Sequence, residues 1–469
     1  MLFMCDIFYK YFVGGVMKKY NAFVEKLFWL MIIVNPFLDA ATGIYKTFIE
    51  KEDASFSLSP SLIIRFLFLS LLVIYLFTTK NRKAIFTLIP IGIAAIASVG
   101  VEIVLNMDFS IMEDAMYIAR FAYNIVMLFC WYWIFSVMGY KKKELLNKLN
   151  KLLCWTLIII GINVIFGQIT GTGHSTYADR FGYRGSMGYY FAGNDITAIL
   201  MLVFPISIYA FVNSDKSSKK DRNLFLTASA MTVVTNSLIG TKTSFLALFA
   251  TSAVVIVYGI IMLAKDKNSL YLKKFGVIIL TAVIMTTVII GLEFILSKSS
   301  FMETISESIK STGNILRKEG IETALLSGRQ VKLKEAFTQF KEAGPLAWIF
   351  GVGRGSQESI IEMDVLEVLC YYGIFGAFAM LWLYVALGFN LVKNFLKNFR
   401  FDTLMVMTAI VLCTGYMLIA GHILFSVTSG YYFTMMFAYA DLLYSKDVQN
   451  LSERIPFPFK KLLNSRKVS

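Results

Sequence analysis

Runs of about twenty apolar residues, separated by short polar stretches, recur along the whole chain and constrain its fold more than any single motif. A bilayer core of roughly 30 Å is crossed by a helix of about 20 residues whose backbone groups bond to one another. Twelve segments meet that demand, at about 23–43, 59–78, 84–106, 115–139, 152–170, 192–213, 223–240, 244–264, 275–296, 363–389, 402–422 and 425–444. Because 57% of the 469 residues are hydrophobic and only 16% charged, a soluble domain of this size is excluded. The pattern predicts an all-α polytopic integral membrane protein of about 12 transmembrane helices.

The formal net charge of +14 does not point to nucleic acid, because Lys and Arg fall in short clusters between spans and form no continuous basic face. Alternate loops hold Lys18 and Lys19; Lys80, Arg82 and Lys83; Lys141 to Lys143; Lys216, Lys219, Lys220 and Arg222; Lys265, Lys267, Lys273 and Lys274; and Lys393, Lys397 and Arg400. The positive-inside rule makes these loops cytoplasmic, with both termini on the same side. The opposite set is short and poor in basic residues apart from 170–191 and a large extracytoplasmic loop, 297–362, between helices 9 and 10. That loop carries Arg317, Lys318, Arg329, Lys332, Lys334, Lys341 and Arg354, so an anionic ligand is the first explanation to weigh. The bias also weakens in long translocated loops, and some of these cations then only decorate a surface helix.

No internal repeat or Pro-rich linker divides the chain, and we read residues 17–444 as one transmembrane domain followed by a basic cytoplasmic tail, 445–469. Residues 1–16 break the pattern with Asp6 and Lys10 inside a short apolar stretch. We expect them to be a non-native extension before a start at Met17. Neither a cleavable signal nor a disulfide framework is expected, since the five cysteines fall in or beside apolar segments without CxxC spacing.

Three constellations can carry chemistry. The first, between the fifth and sixth spans, is Arg180, Arg184, Gly185, Gly188, Gly193, Asn194 and Asp195: guanidinium forks suit phosphate oxygens and glycines let backbone approach a ligand. Arginines at helix ends also snorkel to lipid headgroups. The second is Gly240-Thr241-Lys242-Thr243-Ser244, a tight turn whose lysine needs a partner or water if it lies at membrane depth. The third joins Ser327-Gly328-Arg329, Gly351-Val352-Gly353 and Glu362-Met363-Asp364. Here an arginine can hold an anion while a carboxylate serves as general base, although acids also suit a helix N-terminus for purely structural reasons. Glu367, three residues beyond Asp364, shares its helix face and lies deeper. A helix is expected after Gly328, with Val331, Leu333, Ala336, Phe337 and Phe340 as its apolar side and Gly344-Pro345 ending it. His174 and His422 lack metal-ligand spacing, so no metal is expected; His422 is read as a polar lining group or as the holder of an interhelical hydrogen bond, the second reading being the commoner one. Without a nucleotide-binding pattern or a resident cofactor, any reaction must use a pre-activated donor.

Taken in order, Arg184-Gly185-Ser186-Met187-Gly188 through Gly193-Asn194, the Gly240–Ser244 turn, Ser327-Gly328-Arg329, Gly351-Val352-Gly353, Glu362-Met363-Asp364-Val365-Leu366 and Gly373-Ile374-Phe375-Gly376 resemble the O-antigen ligase and polymerase family. The resemblance implies a GT-C-like, metal-independent glycosyltransferase of the bacterial cytoplasmic membrane, acting on the outer face. Its donor would be an undecaprenyl-diphosphate-linked oligosaccharide, and its partners membrane lipids with a flippase and a chain-length regulator of the same pathway. Arg184 and Arg329, with Arg180 and Lys242, then fall where the diphosphate is gripped. Asn194, His422 and Glu367 line the substrate, and Glu362 with Asp364 supply the base. Glu362 stands where ligases commonly carry histidine, which favours a polymerase joining repeat units of a capsule, exopolysaccharide or O-antigen over a ligase moving finished glycan. A polysaccharide flippase or transporter is the alternative of another class.

Overall fold

The chain is seen here in a computed structural model that describes residues 14–48, 59–79, 81–177, 184–214, 218–266, 269–296, 328–357, 360–419 and 421–456, with positions 306, 310, 317 and 326 between them. Every expected span is a helix. They are α1 (Gly14–Phe48), α2 (Pro60–Thr78), α3 (Arg82–Val104), α4 (Ile111–Val137), α5 (Lys142–Thr170), α6 (Gly193–Val212), α7 (Lys219–Ile239), α8 (Lys242–Asp266) and α9 (Leu270–Leu296). After the long loop come two short helices, α10 (Arg329–Glu342) and α11 (Gly344–Phe350), and then α12 (Asp364–Lys397), α13 (Phe401–Ile419) and α14 (Ser429–Tyr444). Among the described residues ten helices are long and apolar enough to cross a membrane. The two remaining expected spans fall short: α7 opens on the polar run Lys219-Lys220-Asp221-Arg222-Asn223, and α14 has 16 residues. Most of the expected extension 1–16 lies outside the described residues, α1 beginning at Gly14.

The chain divides into two compact units, residues 1–80 with 147–327 and 408–416, and residues 81–146 with 328–407 and 417–469. In the first, α6 packs against α7, α8 and α9. It is apolar all round, and a helix of that kind is stable only inside a bundle or in lipid; here nearly every side chain from Ile196 to Val212 is buried. Ser229 donates to Ser207 at 3.0 Å across the α6–α7 contact. Between α1 and α2 a polar knot fixes the pairing: Arg65 pairs with Asp39 at 2.7 Å and bonds Ser61 at 2.8 Å and Asn35 at 3.3 Å. Lipid tails give helices no hydrophobic reason to associate, so bonds of this kind select which faces meet. Phe66 of α2, 64% exposed, marks the opposite face as one that lipid must cover.

In the second unit α4 is wrapped by its neighbours, with Asn124, Trp131 and Tyr132 bonded to Leu424 O, Tyr431 O and Asp441 Oδ2. Its two ends differ in charge. At one end Lys142 donates to Leu443 O and Ser445 O at 2.8 Å, Lys83 reaches Ser452 O, and Arg454 pairs with Asp441. The first part of the basic tail is therefore packed, with Leu451 and Ile455 buried. At the other end the close of α3, the start of α4, the α10–α12 segment and residues 421–428 come together, and there the candidate site forms.

Candidate functional site

The site is built on a break in α12. Gly373 adopts φ 65 and ψ −169, which interrupts the helix after Tyr372. A break of this kind removes the donors that would serve the carbonyls one turn earlier. Those of Cys370 and Tyr371 are taken instead by the N–H groups of Val352 and Gly353 at 3.1 and 3.0 Å, so Gly351-Val352-Gly353 docks onto α12. The loop continues onto two buried acids. Asp114 Oδ1 accepts from Arg354 N at 2.7 Å and Gly355 N at 3.0 Å, and Glu102 Oε1 accepts from Ser356 N at 3.0 Å. Gly353, at φ +71, has no alternative here, since a Cβ would overlap the Glu102 carboxylate. The Arg354 side chain is consumed in the same frame, paired with Glu113 at 3.1 Å and bonded to Gln357 O.

With the loop fixed, Arg329 at the start of α10 meets Glu362 at the entry to α12. Arg329 Nη2 and Nε lie 2.6 and 3.1 Å from Glu362 Oε2, and Lys332 Nζ lies 3.5 Å from Oε1. The carboxylate is 31% exposed. Among the described residues one anion here faces two cations at an accessible position, a balance of charge that suits phosphate oxygens. Expected apolar positions of α10 separate into buried Ala336 and Phe340 and exposed Val331 and Phe337. Gly344-Pro345 ends that helix and also opens α11, where Pro345 stands in the first turn.

Glu362 is held under constraint. It is a non-glycine residue at φ 63, a conformation that costs of order 1–3 kcal/mol and persists only where surroundings over-determine it. Its N–H donates to Glu367 Oε1 at 2.6 Å. Below it, Asp364 and Glu367 are fully buried. Asp364 Oδ2 accepts from Ile423 N at 2.7 Å and Leu424 N at 2.9 Å, tying α12 to the segment before α14. His422 Nδ1 lies 3.5 Å from both Asp364 Oδ1 and Glu367 Oε2, and Tyr117 donates its hydroxyl to Glu367 Oε2 while stacking on Phe425 at 4.0 Å. Asp364, Glu367 and His422 also each offer a donor atom within 4.8 Å of the others, a set of the type divalent cations use.

Of the residues singled out from sequence, Arg329, Glu362, Asp364, Glu367 and His422 are thus brought together in one unit. Arg184, Asn194 and Lys242 belong to the other. There Arg184 opens β2 (Arg184–Ser186), paired antiparallel with β1 (Ser175–Tyr177), and the hairpin lies on the end of α7. Thr176 Oγ1 donates to Ile239 O at 2.9 Å, and Gly185, at φ +64, passes so close that a Cβ would overlap that carbonyl. The Arg184 motif and the Gly240–Ser244 turn are therefore neighbours. Asn194 is exposed at the N-terminus of α6, Lys242 is half-buried in the first turn of α8, and Arg180 lies outside the described residues. Sequence reading missed Glu102, Asp114 and Tyr117. Glu102 alone gave a usable signal, as an acid at the end of an otherwise apolar span.

Together the fold and this cluster define a polytopic α-helical membrane protein with a charged site at one end of its helices. The chain belongs to the family of O-antigen ligase like membrane proteins, whose model matches residues 21–314 and 310–444. No match is found among curated proteins. Membership makes transfer of lipid-linked glycan the expected class of chemistry.

Proposed function

We propose that the protein is a polysaccharide polymerase of the bacterial cytoplasmic membrane. It joins undecaprenyl-diphosphate-linked repeat units on the outer face by inverting transfer without a metal. The observation that carries this reading is the pairing of Glu362 with Arg329 and Lys332 at an accessible position. A diphosphate arriving there competes for the two cations, and Glu362 is released as they turn to phosphate oxygens. The acceptor hydroxyl then gives its proton to Glu362 while its oxygen attacks the anomeric carbon. The bond from that carbon to the phosphate oxygen breaks, and the diphosphate leaves with the electron pair, its growing charge stabilised by Arg329.

Arg184 keeps, on the family resemblance, the role of a second diphosphate ligand. Asp364 is the weaker candidate for base, because backbone N–H groups already occupy one oxygen and no part of it is exposed. Clustering of the charges at helix ends favours an enzyme over a transporter, which is expected to place essential charges near the midplane. Purified protein supplied with a defined lipid-diphosphate-linked repeat is expected to give a ladder of lipid-linked oligomers. Transfer only to a separate acceptor would assign ligase activity, and movement of intact donor across vesicles without new glycosidic bonds would assign transport.

A further inference from the structure

We infer that Glu367 is a positioning residue for Glu362, gripping its main chain from a buried site, and that Tyr117 in turn fixes Glu367. The inference rests on the reading of Glu362 as the base. Met363 caps α12, its carbonyl accepting from the N–H groups of Leu366 and Glu367 at 3.0 Å each. Glu362 therefore precedes the helix, where a backbone N–H is ordinarily left to water. Here it meets Glu367 Oε1 at 2.6 Å, a relative of the capping box in which a side chain from the first turn reaches back to the chain entering the helix.

A cap alone does not account for the arrangement. Capping is normally done by exposed side chains, whereas Glu367 is fully buried, and an ionisable group is costly to hide unless each oxygen is satisfied. Each oxygen is. Oε1 takes the Glu362 N–H, and Oε2 takes the Tyr117 hydroxyl with His422 Nδ1 at 3.5 Å. Tyr117 is itself immobilised between Phe425, Tyr371 and His422, with ring centroids 4.0, 5.7 and 5.8 Å away. Three rings thus hold Tyr117, Tyr117 holds the Glu367 carboxylate, and the other oxygen of that carboxylate sets the left-handed conformation of Glu362. That conformation aims the Glu362 side chain at Arg329 and Lys332. A one-ångström error in the placement of a catalytic group can cost about a hundred-fold in rate, so a rigid backbone hold here has catalytic value.

The test uses the full chain in proteoliposomes with the lipid-diphosphate-linked repeat, comparing Glu367→Gln, Glu367→Leu, Tyr117→Phe, Glu362→Gln and the double variant Glu362→Gln/Glu367→Leu. Glutamine keeps an acceptor oxygen for the Glu362 N–H and should retain turnover within about ten-fold; leucine removes it and should lower kcat by about a hundred-fold with KM for donor little changed. The double variant should be no slower than Glu362→Gln alone, because Glu367 acts only through Glu362. Additive losses, or a raised KM with kcat intact, would overturn the proposal in favour of an independent or substrate-lining role. So would activity that requires an added divalent cation and vanishes with Glu367→Gln. Amide exchange of the 360–366 segment supplies a readout independent of activity: Glu367→Leu should release one protected amide, and unchanged protection refutes the bond. Full turnover in Glu362→Gln would instead sink the base assignment, leaving the exchange result to judge the positioning contact.

Discussion

Glu102 with Asp114, and Glu362 with Asp364 and Glu367, are two groups of acids in the same compact unit, and four of the five side chains are hidden from water. The first pair gives one oxygen of each acid to main chain: three consecutive N–H groups, of Arg354, Gly355 and Ser356, end on Asp114 Oδ1 and Glu102 Oε1. The second group divides the work. Asp364 and Glu367 also hold backbone, but Glu362 stays partly exposed and faces two side-chain cations that an anionic ligand can draw away. Burial of a carboxylate at the end of a membrane helix therefore does not by itself mark chemistry. What separates Glu362 from the other four acids is that its partners are exchangeable cations, where theirs include fixed N–H groups.

The sharpest way to break this contrast is Glu362→Gln. Loss of a general base should slow turnover by about 10²- to 10⁴-fold, whereas Asp364→Asn, whose amide oxygen still accepts from Ile423 and Leu424, should lose far less. Equal losses in initial-rate assays would show that the two carboxylates do not divide roles. Arg329→Ala should follow at about 10²- to 10³-fold, with lipid-linked single repeats accumulating in cells, and Arg184→Ala should give the same accumulation. Normal polymer length in both would refute the diphosphate assignment. Lys332→Ala, which removes the longer 3.5 Å contact, should cost roughly ten-fold in kcat/KM for donor.

The smallest effect on activity belongs to the structural pair. Glu102→Gln and Asp114→Asn should each lower stability by about 1–3 kcal/mol, read as an earlier thermal transition in detergent, while turnover per folded molecule stays within two- to three-fold of wild type. A selective loss of turnover at unchanged stability would move this pair into the reaction.

Much of the architecture was legible because hydropathy is a property of consecutive residues. Helices arise at each expected apolar run, and α10 begins at Arg329 where the apolar spacing placed it. Arg329 and Glu362 were visible because an arginine and an acid stand out in a segment next to the membrane. The sequence also joined them in one constellation, but their direct ion pair at 2.6 Å came only from the fold. Arg354 shows the converse: it looked equivalent to Arg329 in the basic loop, yet Glu113 and Gln357 absorb it. Tyr117 gave no warning, being one aromatic among the many in α4.

The sequence alone determined that this chain is a many-helix membrane protein with basic ends and a charged loop, because hydrocarbon admits little else and charge bias follows loop position. Tertiary structure decided which acids are used up and which stays available. A carboxylate's chemistry depends on the donors facing it, and those arrive from α4, α10, the 351–357 loop and the segment before α14, which only the fold brings within hydrogen-bonding distance.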